Sequence, residues 1–131
     1  VYGPRQRPDL EGGVVAIFYD LMKKNKNVTF FGDGNQTRDW VHVEDIIKAF
    51  FIVLEKSLSN FEIITLGSGI RNTLWNLFNY LSIAMHYKKS PIIAKERDGD
   101  IEHMYMSGKK AKKLLHWKPT IKLANGMKTL G

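Results

Sequence analysis

The fold is decided by the stretch Phe31-Gly32-Asp33-Gly34-Asn35-Gln36-Thr37-Arg38-Asp39-Trp40-Val41-His42-Val43-Glu44-Asp45. The β-branched and aromatic run at residues 28–31 predicts a strand that ends at the turn-forming residues 32–35. Residues 40–43 predict a second short strand. Glu44 and Asp45 then begin a helix, because two acids in a first turn interact favourably with the helix dipole. The stretch therefore predicts a strand, a tight turn, a second strand and a helix.

Periodic apolar residues predict further helices on both sides of this stretch. An amphipathic helix covers residues 14–22, and Thr73 is the expected N-cap of another, which carries Leu74, Leu77, Phe78, Leu81 and Ala84. The helix that begins at Glu44 carries apolar residues on one broad face: Ile46, Ile47, Phe50, Phe51, Val53 and Leu54. Residues 61–66 and 90–94 predict strands, and residues 107–116 and 123–130 predict short helices. This mixture indicates a small α/β or α+β unit.

The composition indicates one soluble domain. The chain has 131 residues, of which 44% are hydrophobic, enough for a single core. The absence of cysteine excludes a disulfide framework, a thiolate metal site and a cysteine nucleophile, and it fits a reducing, cytoplasmic compartment. No apolar run approaches the roughly 20 residues that a membrane helix needs, so we expect no membrane partner.

The formal charge of +7 is unevenly distributed along the chain. Residues 1–104 contain 13 basic and 13 acidic residues, whereas residues 105–131 contain seven lysines and no acid. Lys109, Lys110, Lys112 and Lys113 suggest a nucleic-acid patch, but aromatic residues are sparse beside them. We interpret this segment as the solvated face of a helix and expect no nucleic-acid partner. A stand-alone basic nucleic-acid-binding module is the alternative.

The residues alone reveal no complete catalytic, cofactor or metal site. The turn Gly67-Ser68-Gly69 lacks the third glycine of a dinucleotide-binding loop, and no acid follows it at about 20 residues to bind a ribose. The four histidines are far apart and unpaired with acids at helical spacing: His42, His86, His103 and His116. We therefore predict no catalytic residue and no metal ligand in this chain.

Four motifs nevertheless occur in the order of a known family. Residues 31–45 resemble its FGDG.Q.RD signature, and residues 1–6 resemble its NVYGPRQ segment. Residues 61–69 are similar to its strand and glycine turn, and residues 97–119 to its RPGD segment followed by a Lys-Ala pair and a Trp-x-Pro stop. The whole chain thereby resembles the C-terminal portion of extended short-chain dehydrogenase/reductases, the NAD-dependent nucleotide-sugar epimerases and dehydratases such as UDP-glucose 4-epimerase.

The resemblance implies an α/β fold over residues 1–131, the small mixed α/β substrate-binding domain of an extended Rossmann-type epimerase. The family's N-terminal Rossmann domain, which binds NAD, has no counterpart in the sequence, which begins at Val1 without a Met and indicates a fragment. The complete protein would be an isomerase of carbohydrate metabolism, in which a tyrosinate and NAD oxidise and then reduce the sugar. This chain alone would be inactive. A dehydratase or decarboxylase of the same family is the alternative.

The resemblance also assigns binding residues for a nucleotide sugar, expected to be UDP-linked. Arg38 and Arg97 occupy diphosphate-contacting positions, and guanidinium groups suit phosphate because they are permanently charged and planar. Asp100 occupies the position of a ribose-hydroxyl acceptor. Without the resemblance, both arginines would be interpreted as surface ion pairs with neighbouring acids.

Thr29 and Phe31 lie two residues apart on a strand and therefore face the same side. The resemblance places a uracil against this edge, by backbone contact and stacking, whereas a core position for Phe31 is the alternative. Gln36 is a further candidate for a sugar or phosphate contact. Tyr2 would approach the cofactor or would only pack at the junction with the Rossmann domain. A homodimer would hide the surface that normally packs on that domain.

Overall fold

The computed structural model describes residues 1–10, 13–56 and 61–130. Within these ranges the helices are α1 (Val14–Lys23), α2 (Val43–Glu55), α3 (Leu74–Met85), α4 (Lys109–Leu115) and α5 (Leu123–Met127). The strands are β1 (Thr29–Phe31), β2 (Thr37–Arg38), β3 (Asn72–Thr73) and β4 (Ile92–Ala94). Strand β1 pairs in parallel with β4, and β2 pairs antiparallel with β3. This architecture confirms the mixed α/β fold.

The turn between β1 and β2 requires glycine. Gly32 and Gly34 adopt positive φ angles of 87° and 81°. A Cβ atom at Gly34 would lie 2.7 Å from the side chains of Phe30 and Trp75, so a larger residue does not fit. The Trp75 indole donates to the Asp33 carbonyl oxygen at 2.9 Å. The turn is therefore locked against the start of α3, which fixes where residues 36–38 lie.

The larger core packs α1, α3 and α5 against β1. The rings of Phe18 and Phe30 stack at 5.7 Å, and both meet Phe78 edge-on. Thr73 caps α3, because its hydroxyl accepts from the Asn76 N–H while the Asn76 side chain accepts from the Thr73 N–H. The helix predicted at residues 14–22 and the helix predicted after Thr73 are confirmed.

A smaller core joins α2, α4 and Trp117, and the buried Asp45 carboxylate holds it together. This carboxylate accepts hydrogen bonds from the main-chain N–H groups of Thr120 and Ile121 and from the Thr120 hydroxyl, at 2.8 to 2.9 Å. Lys48 donates at 3.1 Å, and the Trp117 indole donates to the Asp45 carbonyl at 2.7 Å. Burial alone would raise the pKa of Asp45, but the hydrogen bonds outweigh it and hold the pKa below its ordinary value.

Tyr2 joins the beginning of the chain to α5. Its N–H donates to the Val41 carbonyl and its carbonyl accepts from the Val43 N–H, so Tyr2 and His42 form an isolated parallel bridge. The Tyr2 side chain is 1% exposed and its ring packs edge-on against His42. A Cβ at Gly126 would lie 1.8 Å from the Tyr2 hydroxyl oxygen. Gly126 therefore leaves the space that this side chain fills.

The strand predicted at residues 40–43 is wrong. The strand forms earlier, at Thr37–Arg38, while the main chain at residues 41–43 bonds to the single residue Tyr2. His42 already serves as the N-cap of α2, where its ring nitrogen accepts from the Glu44 N–H at 3.3 Å. The helix therefore begins before a ladder can form.

The strand predicted at residues 61–66 is also wrong, since no described residue forms a ladder with it. The segment keeps the alternation of a strand: Phe61 and Ile63 are 90% and 71% exposed, whereas Ile64 and Leu66 pack against the smaller core. Alternation alone does not make a strand, because the main-chain groups also need a neighbouring strand to bond.

The broad apolar side of α2 is exposed in the described structure. Phe50, Phe51 and Leu54 are 62%, 61% and 80% exposed, and Ile47 is 45% exposed. We call these four residues the α2 face. Neighbouring exposed apolar residues of this kind are typical of surfaces that another protein or domain covers. None of the described helices is long and apolar enough to span a bilayer.

We expect Asp45→Asn to lower the free energy of unfolding by about 2 to 3 kcal/mol, because an amide replaces a charged acceptor of several bonds. The folded state holds the pKa of Asp45 below its ordinary value, so its contribution is present above about pH 4 and is lost as pH falls through the folded pKa. Urea titrations should therefore show a difference between wild type and variant that shrinks on acidification. The control Asp98→Asn, at an exposed residue, should hardly change the free energy of unfolding. Equal losses of that free energy in the two variants would contradict the prediction.

Candidate functional site

One cavity brings together the residues that the sequence assigns to the substrate. It has a volume of about 310 Å³, and we call it the main cavity. The predicted residues that line it are Thr29, Phe31, Gln36, Arg38, Arg97 and Asp100. They come from β1, the end of the following turn, β2 and the loop after β4. Two separate segments of the chain, residues 29–38 and 97–100, therefore converge on this volume.

Five further residues line the main cavity that the sequence did not assign to it: Val14, Ile17, Phe18, Trp40 and Leu74. The first three belong to α1, whose periodicity predicts only an amphipathic helix. Ile17 is 40% exposed, so the apolar stripe of α1 is wider than the core requires. Trp40 directly follows Arg38 and Asp39 in the family motif. Its place beside Arg38 could therefore have predicted that it lies at the cavity. Together these side chains give the cavity an apolar wall.

The free edge of β1 runs along the main cavity. Val28 and Gly32 form main-chain hydrogen bonds with β4. The N–H and C=O groups of the even-numbered residues in this segment therefore point towards β4. Because backbone direction alternates along a strand, the N–H and C=O groups of Thr29 and Phe31 point away from β4. The side chain of Gln36 agrees with this direction, since its Nε2 donates to the Phe31 carbonyl at 3.0 Å.

Arg97 stacks on Phe31. Its guanidinium carbon lies 3.6 Å from the centre of the ring, a cation–π contact. The register that pairs Phe31 with Ala94 brings the loop after β4 back over this ring. Phe31 is half-buried and lines the cavity, whereas Phe30 is fully buried in the core. Arg97 therefore covers one face of an aromatic ring at the cavity.

Arg38 lies in β2, where its Nη1 donates to the Thr37 carbonyl at 2.9 Å and to the Glu102 carbonyl at 3.4 Å. Neither Arg38 nor Arg97 forms an ion pair with any residue that the structure describes. The interpretation of these residues as surface ion pairs with neighbouring acids is therefore not supported. Two permanent positive charges without a carboxylate partner in the described ranges line one cavity.

The loop that carries Arg97 and Asp100 is fixed at both ends. Strand β4 precedes it, in the parallel pair with β1. Beyond it, the Thr37 N–H donates to the Glu102 carbonyl at 2.9 Å, and the Thr37 carbonyl accepts from the Met104 N–H at 3.0 Å. The loop therefore leaves from the strand that pairs with β1 and returns to β2.

The glycine turn at residues 67–69 is structural. The Asp39 carboxylate accepts from the N–H groups of Ser68 and Gly69, at 2.9 and 3.0 Å, and from the Met106 N–H at 3.3 Å. A Cβ at Gly67 would lie 2.4 Å from the Met106 carbonyl oxygen, so protein atoms already pack against the turn. The N–H groups of Ser68 and Gly69, which a phosphate would need, are therefore already bonded to a carboxylate of the chain itself.

Tyr2, the predicted cofactor contact, lies in the core. Burial and the nearby Asp45 carboxylate raise the pKa of Tyr2, so its phenol stays protonated. Its buried hydroxyl has no hydrogen-bond partner among the described residues and lies beside Gly126. Within the described residues the Tyr2 side chain therefore packs in the core. Its contact with a cofactor stays a prediction.

The histidines also have local bonding roles. The ring of His42 bonds to the Thr129 hydroxyl at 3.0 Å, and His103 bonds to the Thr37 hydroxyl at 3.1 Å. Across residues 1–10, 13–56 and 61–130, no three His, Asp or Glu side chains are grouped as a metal site requires.

Comparison with known proteins places this chain in a family. The NAD dependent epimerase/dehydratase family matches residues 1–67. A putative UDP-glucose 4-epimerase of Methanocaldococcus jannaschii is 41% identical over 128 residues, which are 98% of this chain and 41% of that protein. UDP-glucose 4-epimerase of Mycolicibacterium smegmatis is 32% identical over 97% of this chain and 40% of its own length. The chain belongs to the NAD dependent epimerase/dehydratase family.

A solved structure supports the same relationship. UDP-glucose 4-epimerase of Thermotoga maritima, with UDP-glucose, superposes with a TM-score of 0.89 at 38% identity. The superposition covers 98% of this chain and 41% of that structure. The matching part is the C-terminal portion of a Rossmann-type epimerase. The chain therefore spans about two fifths of the length of the relatives that it matches.

Proposed function

We propose that this chain is the nucleotide-sugar-binding portion of an NAD-dependent nucleotide-sugar epimerase of the UDP-glucose 4-epimerase type. The observation that carries the proposal is the main cavity, where the six residues expected at the ligand line one volume. The relatives support the choice of reaction, because proteins named UDP-glucose 4-epimerase match almost the whole chain.

Arg38 and Arg97 bind the diphosphate of the ligand. Their positive charges have no carboxylate partner among the described residues, and each guanidinium can donate a planar pair of hydrogen bonds to phosphate oxygens. Asp100 accepts a ribose hydroxyl in the same cavity. An acid beside two arginines favours a ligand that carries hydroxyl groups next to its phosphates over inorganic phosphate alone.

Phe31 and the free edge of β1 hold the base. Val14, Ile17 and Phe18 form the apolar wall, which suits a planar ring better than a sugar. The base stacks on the Phe31 ring, whose other face carries Arg97. The same arginine thereby links the base subsite to the diphosphate subsite.

The redox and proton-transfer groups lie in a Rossmann domain that precedes Val1 in the complete protein. That domain holds NAD, which accepts and returns a hydride. The glycine turn of this chain supports the assignment, because Met106 fills the space beside Gly67. The α2 face is the surface that the Rossmann domain covers, since an exposed apolar surface of this kind is unusual on an isolated domain. This chain holds the nucleotide and so positions the sugar for that domain.

The complete gene product, with all residues that precede Val1, tests the function. We expect it to convert UDP-glucose to its 4-epimer without net consumption of NAD, as nuclear magnetic resonance of the sugar protons would show. Its sequence should contain a Gly-rich dinucleotide turn and a Tyr-x-x-x-Lys pair. A 4-keto-6-deoxy product would identify a dehydratase instead. Absence of both UDP binding and turnover of UDP-hexoses would overturn the proposal.

Removal of either arginine should weaken nucleotide binding. In the complete gene product, we expect Arg38→Ala and Arg97→Ala each to reduce UDP affinity about ten- to a hundredfold, because a charge-assisted contact of about 1.5 to 3 kcal/mol is lost. Lysine at either position should restore only part of the UDP affinity, since it lacks the planar pair of donors. Calorimetric titration measures these affinities. Lys109→Ala, on the exposed side of α4, is the control, and wild-type affinity in both arginine variants would refute the assignment.

Lysines placed on the α2 face should reduce self-association of the isolated chain and destabilise the complete gene product. In the 131-residue chain alone, Phe51→Lys combined with Leu54→Lys should reduce self-association, because exposed apolar surface is removed. In the complete gene product the same change buries two charges and should lower the melting temperature. Sedimentation and thermal unfolding measure the two effects. Ile83→Lys, on α3 and 70% exposed, is the matched control. An unchanged melting temperature of the complete gene product, with a loss of self-association in the 131-residue chain, would argue against a covering domain.

A further inference from the structure

We propose that Gln36 is a positioning residue that determines which base the main cavity accepts, because it occupies the Phe31 carbonyl. The inference rests on the proposed nucleotide-binding function and deepens it. The Gln36 Nε2 donates to the Phe31 carbonyl oxygen at 3.0 Å, across the turn that joins β1 to β2. Because the partner is a pure acceptor, the NH2 end of the amide must face it. Gln36 and Phe31 both line the main cavity, so this hydrogen bond joins two residues of its wall.

The backbone around Gln36 is held independently of its side chain. The Gln36 carbonyl accepts from the Leu74 N–H at 3.2 Å, and the Gly34 carbonyl accepts from the Trp75 N–H at 3.4 Å. Leu74 and Trp75 lie in the first turn of α3, where N–H groups have no partner within the helix. The Trp75 indole bonds to the Asp33 carbonyl as well. A change of the Gln36 side chain should therefore free the Phe31 carbonyl without moving the turn.

The free edge of β1 then presents a defined pattern of hydrogen-bonding groups. Four main-chain groups point away from β4: the N–H and C=O of Thr29 and the N–H and C=O of Phe31. Within the described ranges the first three have no protein partner, and Gln36 occupies the fourth. The groups available to a ligand are, in order, a donor, an acceptor and a donor.

This pattern complements an imide, the chemistry of uracil and thymine. An imide presents an N–H between two carbonyl oxygens, so its N–H faces the Thr29 carbonyl and a carbonyl oxygen faces the Phe31 N–H. Cytosine presents an amino donor and an unprotonated ring nitrogen at the same positions. The cytosine ring nitrogen, an acceptor, would face the Thr29 carbonyl, and the amino donor would face the Phe31 N–H. Unpaired polar groups of this kind strongly disfavour binding of a ligand.

Loss of the Gln36 amide changes this discrimination. The freed Phe31 carbonyl becomes a second acceptor at the cavity, close to the N–H that the cytosine amino group would otherwise oppose. Cytosine gains a partner, whereas uracil keeps the Thr29 carbonyl and the Phe31 N–H. The effect of Gln36 therefore falls on the ratio of the CDP and UDP dissociation constants. A residue that touched the sugar or the phosphates would change both constants equally.

The test is calorimetric titration of UDP and of CDP into the complete gene product and its variants. We expect wild type to prefer UDP. Gln36→Met, which keeps the length and lacks a donor, should lower the ratio of CDP to UDP dissociation constants about fivefold, the effect of one neutral hydrogen bond. Gln36→Glu should act in the same direction, because it also removes the donor. Asn35→Ala is the control, since the Asn35 side chain bonds to Asp33 in the same turn, at 2.7 Å.

The outcomes separate this inference from the function on which it rests. Equal losses for UDP and CDP in Gln36→Met would show a direct ligand contact and overturn the positioning role. A similar change of ratio in Asn35→Ala would show that the turn had loosened, and it would likewise overturn that role. UDP binding with an unchanged ratio in both Gln36 variants would also overturn the inference, while the proposed function stands. Absence of UDP binding in folded wild type would overturn the proposed function itself.

Discussion

The buried carboxylate of Asp45 is the interaction on which the rest of this structure depends. Within the described residues each of the two sheets has only two strands, so main-chain ladders connect few distant parts of the chain. Asp45 instead collects hydrogen bonds from Thr120 and Ile121, far along the sequence, and thereby fixes the start of α2 against the segment that follows α4. A buried carboxylate is tolerated only when its oxygens are satisfied, and here they are. Asp39 does the same for the glycine turn behind β2.

The main cavity combines charge and apolar surface because of where its residues come from. Strands β1 and β2 supply Phe31 and Arg38 on either side of one rigid turn, and the loop after β4 supplies Arg97. The stack of Arg97 on Phe31 restricts the guanidinium before a ligand arrives. Less side-chain freedom is then lost on binding, which favours affinity. A cation placed on an aromatic ring also keeps its hydrogen-bond donors available at the edge of the plane.

Local patterns predicted the elements that local forces stabilise. The periodicity of α1 and the N-cap at Thr73 identified two helices, and the spacing of Thr29 and Phe31 predicted that both face one side, where both line the main cavity. Both wrong strands, at residues 40–43 and 61–66, share one cause: a strand requires a partner that its own sequence does not specify. The position of Arg97 depends on the register between β1 and β4, which no local pattern encodes. The resemblance supplied it instead.

The contact between Tyr2 and Gly126 has a consequence for the synthesis of the chain. Tyr2 leaves the ribosome long before Gly126, and its main-chain bridge to His42 can form as soon as that residue has emerged. Its ring is enclosed only when Gly126 arrives in α5, after the other helices have been made. The larger core therefore closes only after α5 has been made. A ribosome that pauses before α5 leaves the Tyr2 ring and the surface of α3 that contacts α5 open to chaperones.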